Sequence, residues 1–181
     1  VATQYVKKAK PQSISELSVI TSLLRPATMS LGIHDQYADV KNGTREPEYD
    51  LLLEDIEEET LGFLIYQEQV MKAFVVLADF TDAEADDVRR AIGKKDMEAM
   101  KSFKTMFVER SAQKGYTKSM SLELWDKIEE FSTYSFNKSH AFSYAWASYD
   151  CMFLKTHYPS YFYATALTRE YSKSKEMRDM T

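Results

Sequence analysis

Cysteine is almost absent from this 181-residue sequence: Cys151 stands alone. That excludes an internal disulfide framework and any zinc site built on several thiolates, and a reducing compartment is the simplest setting. Glycine and proline are scarce, with 5 and 4 copies. Sandwiches and barrels need many such turn residues, so the composition points to helices. No stretch approaches the roughly 18 consecutive apolar residues of a membrane span, and no membrane partner is expected. The lysines near the amino terminus precede no apolar core, which argues against a signal peptide. The glycosylation patterns Asn42-Gly43-Thr44 and Asn137-Lys138-Ser139 are therefore expected to be idle. The first residue is Val1 rather than Met, which hints at an excised piece, a processed chain or an incomplete reading frame. Metal chemistry also lacks its usual arrangements. His34, His140 and His157 have no ligand spacing, and no Asp-x-Asp pair occurs.

What is present is an ordinary globular balance, 44% hydrophobic and 28% charged, with 12 Tyr and 10 Phe. The net charge of −5 speaks against a dedicated nucleic-acid binder, but the charge is segregated. Glu46 to Glu59 hold eight acids and no base, and without them the chain would carry +3. The window Arg89 to Lys104 carries Arg89, Arg90, Lys94, Lys95, Lys101 and Lys104 against only Asp96 and Glu98. Two solvated faces are the bland account of this pattern.

Local signals lay out a mostly α chain of about seven helices with little or no strand. Ser13-Ile14-Ser15-Glu16 reads as a capping box opening a helix that Arg25-Pro26 ends. Residues 27–60 read as irregular, with a turn at Asn42-Gly43 and the acidic run after it. Gly62 to Ile65 is a short, extended apolar stretch feeding a helix with Val70, Phe74 and Leu77 on one face. Thr81 to Glu84 is a second capping box, and Gly93 is expected to close its helix as a left-handed cap. Further helices follow over about 96–114, around Leu122, Trp125 and Ile128, from Ser135–His140 to His157, and through Leu167. Phe103, Phe107, Trp125, Ile128, Phe131, Tyr149 and Phe153 are expected to form the core of one unit spanning 67–157, with the first helix docked at its edge. Cys151, among Tyr149, Met152 and Phe153, reads as a buried inert thiol, and His157 as a helix-end histidine.

Phosphate binding is the best-supported chemistry. Arg89 and Arg90 lie in the last turn of a capped helix, followed by Lys94 and Lys95. Offsetting the helix dipole accounts for two such cations but is strained by four, which repel one another unless an anion or acid sits among them. Phe136-Asn137-Lys138-Ser139-His140 is the second candidate, offering side-chain donors at a helix start where free N–H groups favour an anion. Ser139 could equally be a plain cap.

Taken in order, Tyr66-Gln67-Glu68-Gln69-Val70-Met71, Arg89-Arg90-Ala91-Ile92-Gly93-Lys94-Lys95 and Phe136-Asn137-Lys138-Ser139-His140 resemble bacterial replicative DNA polymerases of the C family. Leu24-Arg25-Pro26 and Leu154-Lys155-Thr156-His157-Tyr158-Pro159 extend the resemblance across residues 13–168, and the ordered set is far more specific than any block. It implies a helical fingers domain over 61–169. Residues 1–60 would be a palm-to-fingers connection with one helix and an acidic loop, and 170–181 a frayed tail. The family's three metal-binding palm aspartates lie upstream of the matched region. The chain is thus expected to hold no cofactor itself, Mg2+ belonging only to the complete polymerase, and to be inactive alone.

The resemblance further implies that Arg89, Arg90, Lys94 and Lys95, with Asn137, Lys138, Ser139 and His140, bind the triphosphate of the incoming deoxynucleotide. Arg25, Tyr66 and Gln67 would be neighbours of that site. The implied partners are dNTP, primer-template DNA and the palm, in the cytoplasm. Ala27 and Glu109-Arg110-Ser111 depart from the family pattern. Two other readings compete: a non-catalytic nucleotide- or DNA-binding module that keeps the fold, and a helical scaffold whose basic cluster pairs with its own acidic block.

Overall fold

Why the chain is so helical is visible at its caps. In a computed structural model, which describes residues 2–50 and 52–179 and side chains through Tyr171, the chain is 76% helical. Eleven α-helices and no strand occur among the described residues. They are α1 (Ala2–Ala9), α2 (Ile14–Leu23), α3 (Pro26–Ser30), α4 (Ile33–Lys41), α5 (Glu54–Glu57), α6 (Gln67–Ala78), α7 (Asp82–Lys94), α8 (Met97–Gln113), α9 (Lys118–Ser132), α10 (Lys138–His157) and α11 (Pro159–Asp179). Asp96, Thr117 and Asn137 each accept a hydrogen bond from the third residue of the helix they open, satisfying an otherwise orphaned N–H. Thr81 and Glu84 form a reciprocal capping box. Ser13 caps α2, but the Glu16 carboxylate accepts from the Gln12 N–H.

Several expectations are corrected. The supposedly irregular 27–60 segment holds α3, α4, α5 and a 3-10 turn at Glu58–Thr60, so residues 1–60 contain five helices rather than one. Pro26 ends α2 and, at the first position of α3, also starts the next helix, where its missing N–H costs nothing. Gly93 lies inside α7, and Lys95 takes the left-handed cap at φ 56°. Helix continues to Asp179 where a frayed 170–181 tail was expected; Met180 and Thr181 lie outside the described residues.

The buried residues form two cores. The first joins α6, α7, α8 and α9. Phe74 lies 5.8, 5.7 and 5.5 Å from the rings of Phe80, Phe107 and Trp125, within the range of favourable aromatic pairs. Val70, Leu77, Val88, Ile92 and Ile128 complete it, each such burial contributing about 1.5–3 kcal/mol. The second core gathers Tyr5, Ile20, Leu23 and Tyr37 with Ile65, Tyr66, Tyr134 and Ala141. It therefore crosses the expected boundary at residue 60.

Phe103 and Phe131 pack only partly buried against the first core, while Phe107, Trp125 and Ile128 are fully inside it. Tyr149 and Phe153 are not core residues: they are 49% and 44% exposed. Cys151 is exposed as well. The reason is that α10 packs on α2 rather than on the α6–α9 unit, through the small buried residues Ala141 and Ala145. The α10 aromatics beyond Ala145 face outward.

Candidate functional site

Three segments meet where α6 begins. Gly62 turns the chain at φ 89°, and any Cβ there would collide with the Glu48 carbonyl. The following extended residues reach Phe136 through an isolated parallel bridge: the Phe136 N–H donates to the Ile65 carbonyl at 2.9 Å, and the Gln67 N–H to the Phe136 carbonyl at 2.9 Å. The start of α6 is thereby tied to the start of α10.

Gln69 is the buried knot beneath this junction. Its Oε1 accepts from the Ile65 and Tyr66 N–H groups at 2.8 and 2.9 Å. Its Nε2 donates to the Ile56 carbonyl at 2.7 Å and to Thr60 Oγ1 at 2.8 Å. One side chain thus satisfies backbone from the acidic segment and from the α6 entrance, where an orphaned group would be costly. Sequence reading singled out the block containing Gln69 but not this role; the i, i+3 spacing from Tyr66, the side-chain reach of a capping box, was the available signal.

No hydrogen bond or ion pair joins the acidic run to the Arg89–Lys104 cluster among the described residues. Glu57, wholly buried, accepts from the Asp50 N–H at 3.0 Å and pairs with Lys127 at 3.4 Å, and Lys127 also reaches Asp50 at 3.1 Å. Glu59 pairs with Lys138 at 2.5 Å. The pairing of the basic cluster with the acidic block, one of the two arrangements the scaffold reading allows, is not among these contacts.

The basic cluster carries its own acids instead. Asp86 takes Arg89 at 2.7 Å and Arg90 at 2.6 Å, and Asp87 lies 3.8 Å from Arg90. The Arg89 guanidinium holds the Asp86 carboxyl below the usual carboxylate range. Lys94 and Lys95 are exposed, and no ion pair engages either among the described residues. The cation crowding is thus half relieved by acids one turn back on α7.

At the second block, Asn137 rather than Ser139 is the cap of α10: its Oδ1 accepts from the His140 N–H at 2.8 Å and from Ser139 Oγ at 2.8 Å. Glu68, in the first turn of α6, accepts from the Lys138 N–H at 3.0 Å and from Asn137 Nδ2 at 3.1 Å. The amino end of α10 already holds a carboxylate. The His140 ring sits between Phe136 and Tyr144, at 5.4 and 4.4 Å between ring centres.

The neighbours divide. Arg25 stacks on Phe136 at 4.7 Å and donates to the Tyr134 carbonyl at 3.4 Å. Gln67 is half-buried at the bridge. Tyr66 is inside the second core, its hydroxyl 2.8 Å from Ser18 Oγ, and burial pushes its phenol up to about 12. A neutral, buried phenol is an anchor for α2 and no proton donor near neutral pH.

One basic block ends α7, and the other is tied to the start of α6, the helix on which α7 packs. Asp79, Phe80 and Thr81 join α6 to α7, and the packed pair runs antiparallel. With a rise of about 1.5 Å per residue, the last turn of α7 returns to the height of the first turn of α6. That turn is bonded to Asn137 and Lys138. No hydrogen bond or ion pair joins Arg89, Arg90, Lys94 or Lys95 to residues 137–140 among the described residues. No group of three or more His, Cys, Asp or Glu able to hold a metal occurs among the described residues. No helix among the described residues is long and apolar enough to cross a membrane.

The divergent Glu109-Arg110-Ser111 has a structural use. Arg110 grips Glu84 with two bonds of 2.9 and 2.8 Å and lies 4.9 Å above the Phe80 ring, locking α8 to the α7 cap. Ser111, buried, donates to Ser121 at 2.7 Å.

The sequence profile described as the bacterial DNA polymerase III alpha subunit finger domain matches residues 1–115. The chain is 40% identical over 173 residues to the DNA polymerase III subunit alpha of Aquifex aeolicus, covering 95% of this chain and 15% of that protein. It is 40% identical over 164 residues to the Campylobacter jejuni subunit, covering 90% and 14%, and 33% identical over 178 residues to the Escherichia coli K12 subunit, covering 95% and 15%. The chain thus spans about 15% of the length of the curated relatives it matches. The ordered motifs, the helical fold and these matches agree: the chain belongs to the finger-domain family of the bacterial DNA polymerase III alpha subunit.

Proposed function

We propose that this fingers segment binds the triphosphate of the incoming deoxynucleotide during template-directed DNA synthesis. The observation that supports the reading is the crowding of Arg89, Arg90, Lys94 and Lys95 at the carboxyl end of α7, which packs on α6, while the first turn of α6 is bonded to Asn137 and Lys138 at the start of α10. Pyrophosphate departure needs charge neutralised on the β- and γ-phosphates. Arginine forks supply bidentate, permanently charged donors, and lysines add point charge. His140, at the first turn of α10, is suited to donate to a phosphate oxygen or to protonate the leaving group. Magnesium and the aspartates that hold it belong to the palm, and primer-template DNA is a partner of the complete polymerase, which acts in the cytoplasm.

Crosslinking of a γ-phosphate-tethered photoreactive dNTP to a polymerase polypeptide carrying this segment tests the reading. Adducts within residues 89–95 and 138–140 are expected; adducts confined to other helices would refute it. The purified 181-residue chain with magnesium and primer-template is expected to incorporate no nucleotide.

A further inference from the structure

Lys138 is held by two carboxylates in two different ways. Glu68 accepts its backbone N–H and the Asn137 amide, both fixed parts of the α10 cap. Glu59 accepts its ammonium, in a pair whose side chains are 47% and 41% exposed, with the ammonium 5.5 Å from the Tyr66 ring centre. A bond to backbone moves only if the helix start moves. A bond between two half-exposed long side chains is exchanged at little cost.

We infer that the two acids divide the work at this site: Glu68 is a positioning residue that fixes the Asn137–His140 turn, and Glu59 is a placeholder that yields the Lys138 ammonium to a phosphate. This rests on the nucleotide-binding reading above and adds to it a ligand exchange. In the empty site Glu59 keeps the Lys138 charge paired and aimed along the face of Tyr66. An arriving triphosphate, with several negative oxygens to one carboxylate, displaces it. Glu68 stays, because its two partners are a main-chain N–H and the cap side chain. It thus keeps phosphate off the α10 amide end and directs it to the side chains of Lys138, Ser139 and His140.

The two roles predict opposite signs for the same chemical change. Glu59→Gln removes a competitor for Lys138 and is expected to lower the KM for dNTP about two- to fivefold, the equivalent of one exposed ion pair. Glu68→Gln replaces one accepting oxygen by an NH2 that faces a donor. It is expected to raise KM about tenfold, the equivalent of one charge-assisted hydrogen bond, with kcat changed less. Simple electrostatics predicts a lower KM for both, because both remove negative charge near phosphate. Simple structural damage predicts a higher KM for both.

The measurement is steady-state incorporation by the full polymerase polypeptide carrying this segment, with the thermal midpoint recorded for each variant. Glu68→Asp, which keeps the charge but shortens the reach, stands in if Glu68→Gln does not fold, and is also expected to raise KM. Opposite shifts for the two positions support the division. Shifts of one sign, or an unchanged KM for Glu59→Gln, overturn it. Lys138→Ala and Arg89→Ala separate the two levels: if only Lys138→Ala leaves the dNTP kinetics unchanged, the exchange at Lys138 fails, and if both do, the nucleotide-site reading itself fails.

Discussion

Replacing Gln69 by methionine keeps the length and approximate volume of the side chain and deletes only its polar atoms, so the cavity contribution is small. The Ile65 and Tyr66 N–H groups then lose the oxygen that both of them use, and the Ile56 carbonyl and Thr60 hydroxyl lose a donor. Thr60 keeps contacts to the Glu57 and Phe63 carbonyls, so its loss is minor. The two N–H groups have no other acceptor and lie in a buried strip. At about 1–3 kcal/mol for each unsatisfied buried group, the substitution is expected to cost about 3–5 kcal/mol. A chain of this size loses about 2–4 °C per kcal/mol, so the thermal midpoint falls by roughly 10 °C. Urea unfolding followed by far-ultraviolet circular dichroism and by tryptophan fluorescence measures the loss, and hydrogen exchange at Ile65 and Tyr66 localises it. A change under about 1 kcal/mol would show that water or backbone rearrangement takes over from Gln69, and that the junction is not held as described.

Two further outcomes follow from the same geometry. Gly62→Ala forces a left-handed residue and a Cβ against the Glu48 carbonyl. It should cost about 1–3 kcal/mol from the backbone alone, more with the clash, read by urea unfolding. Arg110, through its hydrogen bonds, together with the Thr81 N–H, lowers the Glu84 carboxyl from 4.5 to about 2. Because the folded value is the lower one, the stabilisation is present above pH 4.5 and is lost as pH falls toward about 2. Arg110→Met should flatten that acid limb of the thermal midpoint against pH, whereas an unchanged limb would assign it to other carboxylates.

Local chemistry carried most of the helix starts. The Thr81–Glu84 box, the long α8 with Phe107 inward, and the α9 stripe of Trp125 and Ile128 were legible because cap and apolar period agree. Gly93 misled because a glycine permits a left-handed cap without requiring one; Lys95 closes the helix two residues later. Arg25-Pro26 misled in the same way, since a proline that ends one helix can open another. Tyr149 and Phe153 could not be sorted from Ala141 and Ala145 by periodicity, because apolar and polar residues are spread around all sides of α10. Of the candidate site, the two basic blocks are visible in the sequence as charge and as residue types. The acids that occupy them were not: Glu59 and Glu68 meet Lys138 from 79 and 70 residues away in the sequence. Nor was the pairing of buried Glu57 with Lys127, 70 residues apart.

Arg89 tests the central claim most directly. It is half-buried at the carboxyl end of α7, and Asp86 retains Arg90 when Arg89 is removed, so the fold need not change. In a polymerase polypeptide carrying this segment, Arg89→Ala should lower kcat/KM for dNTP by about 10- to 150-fold, the equivalent of about 1.5–3 kcal/mol for one lost charged hydrogen bond in the transition state. Affinity for primer-template should stay the same. An unchanged kcat/KM, or a loss confined to primer-template binding, would contradict the assignment of this end of the hairpin to the triphosphate.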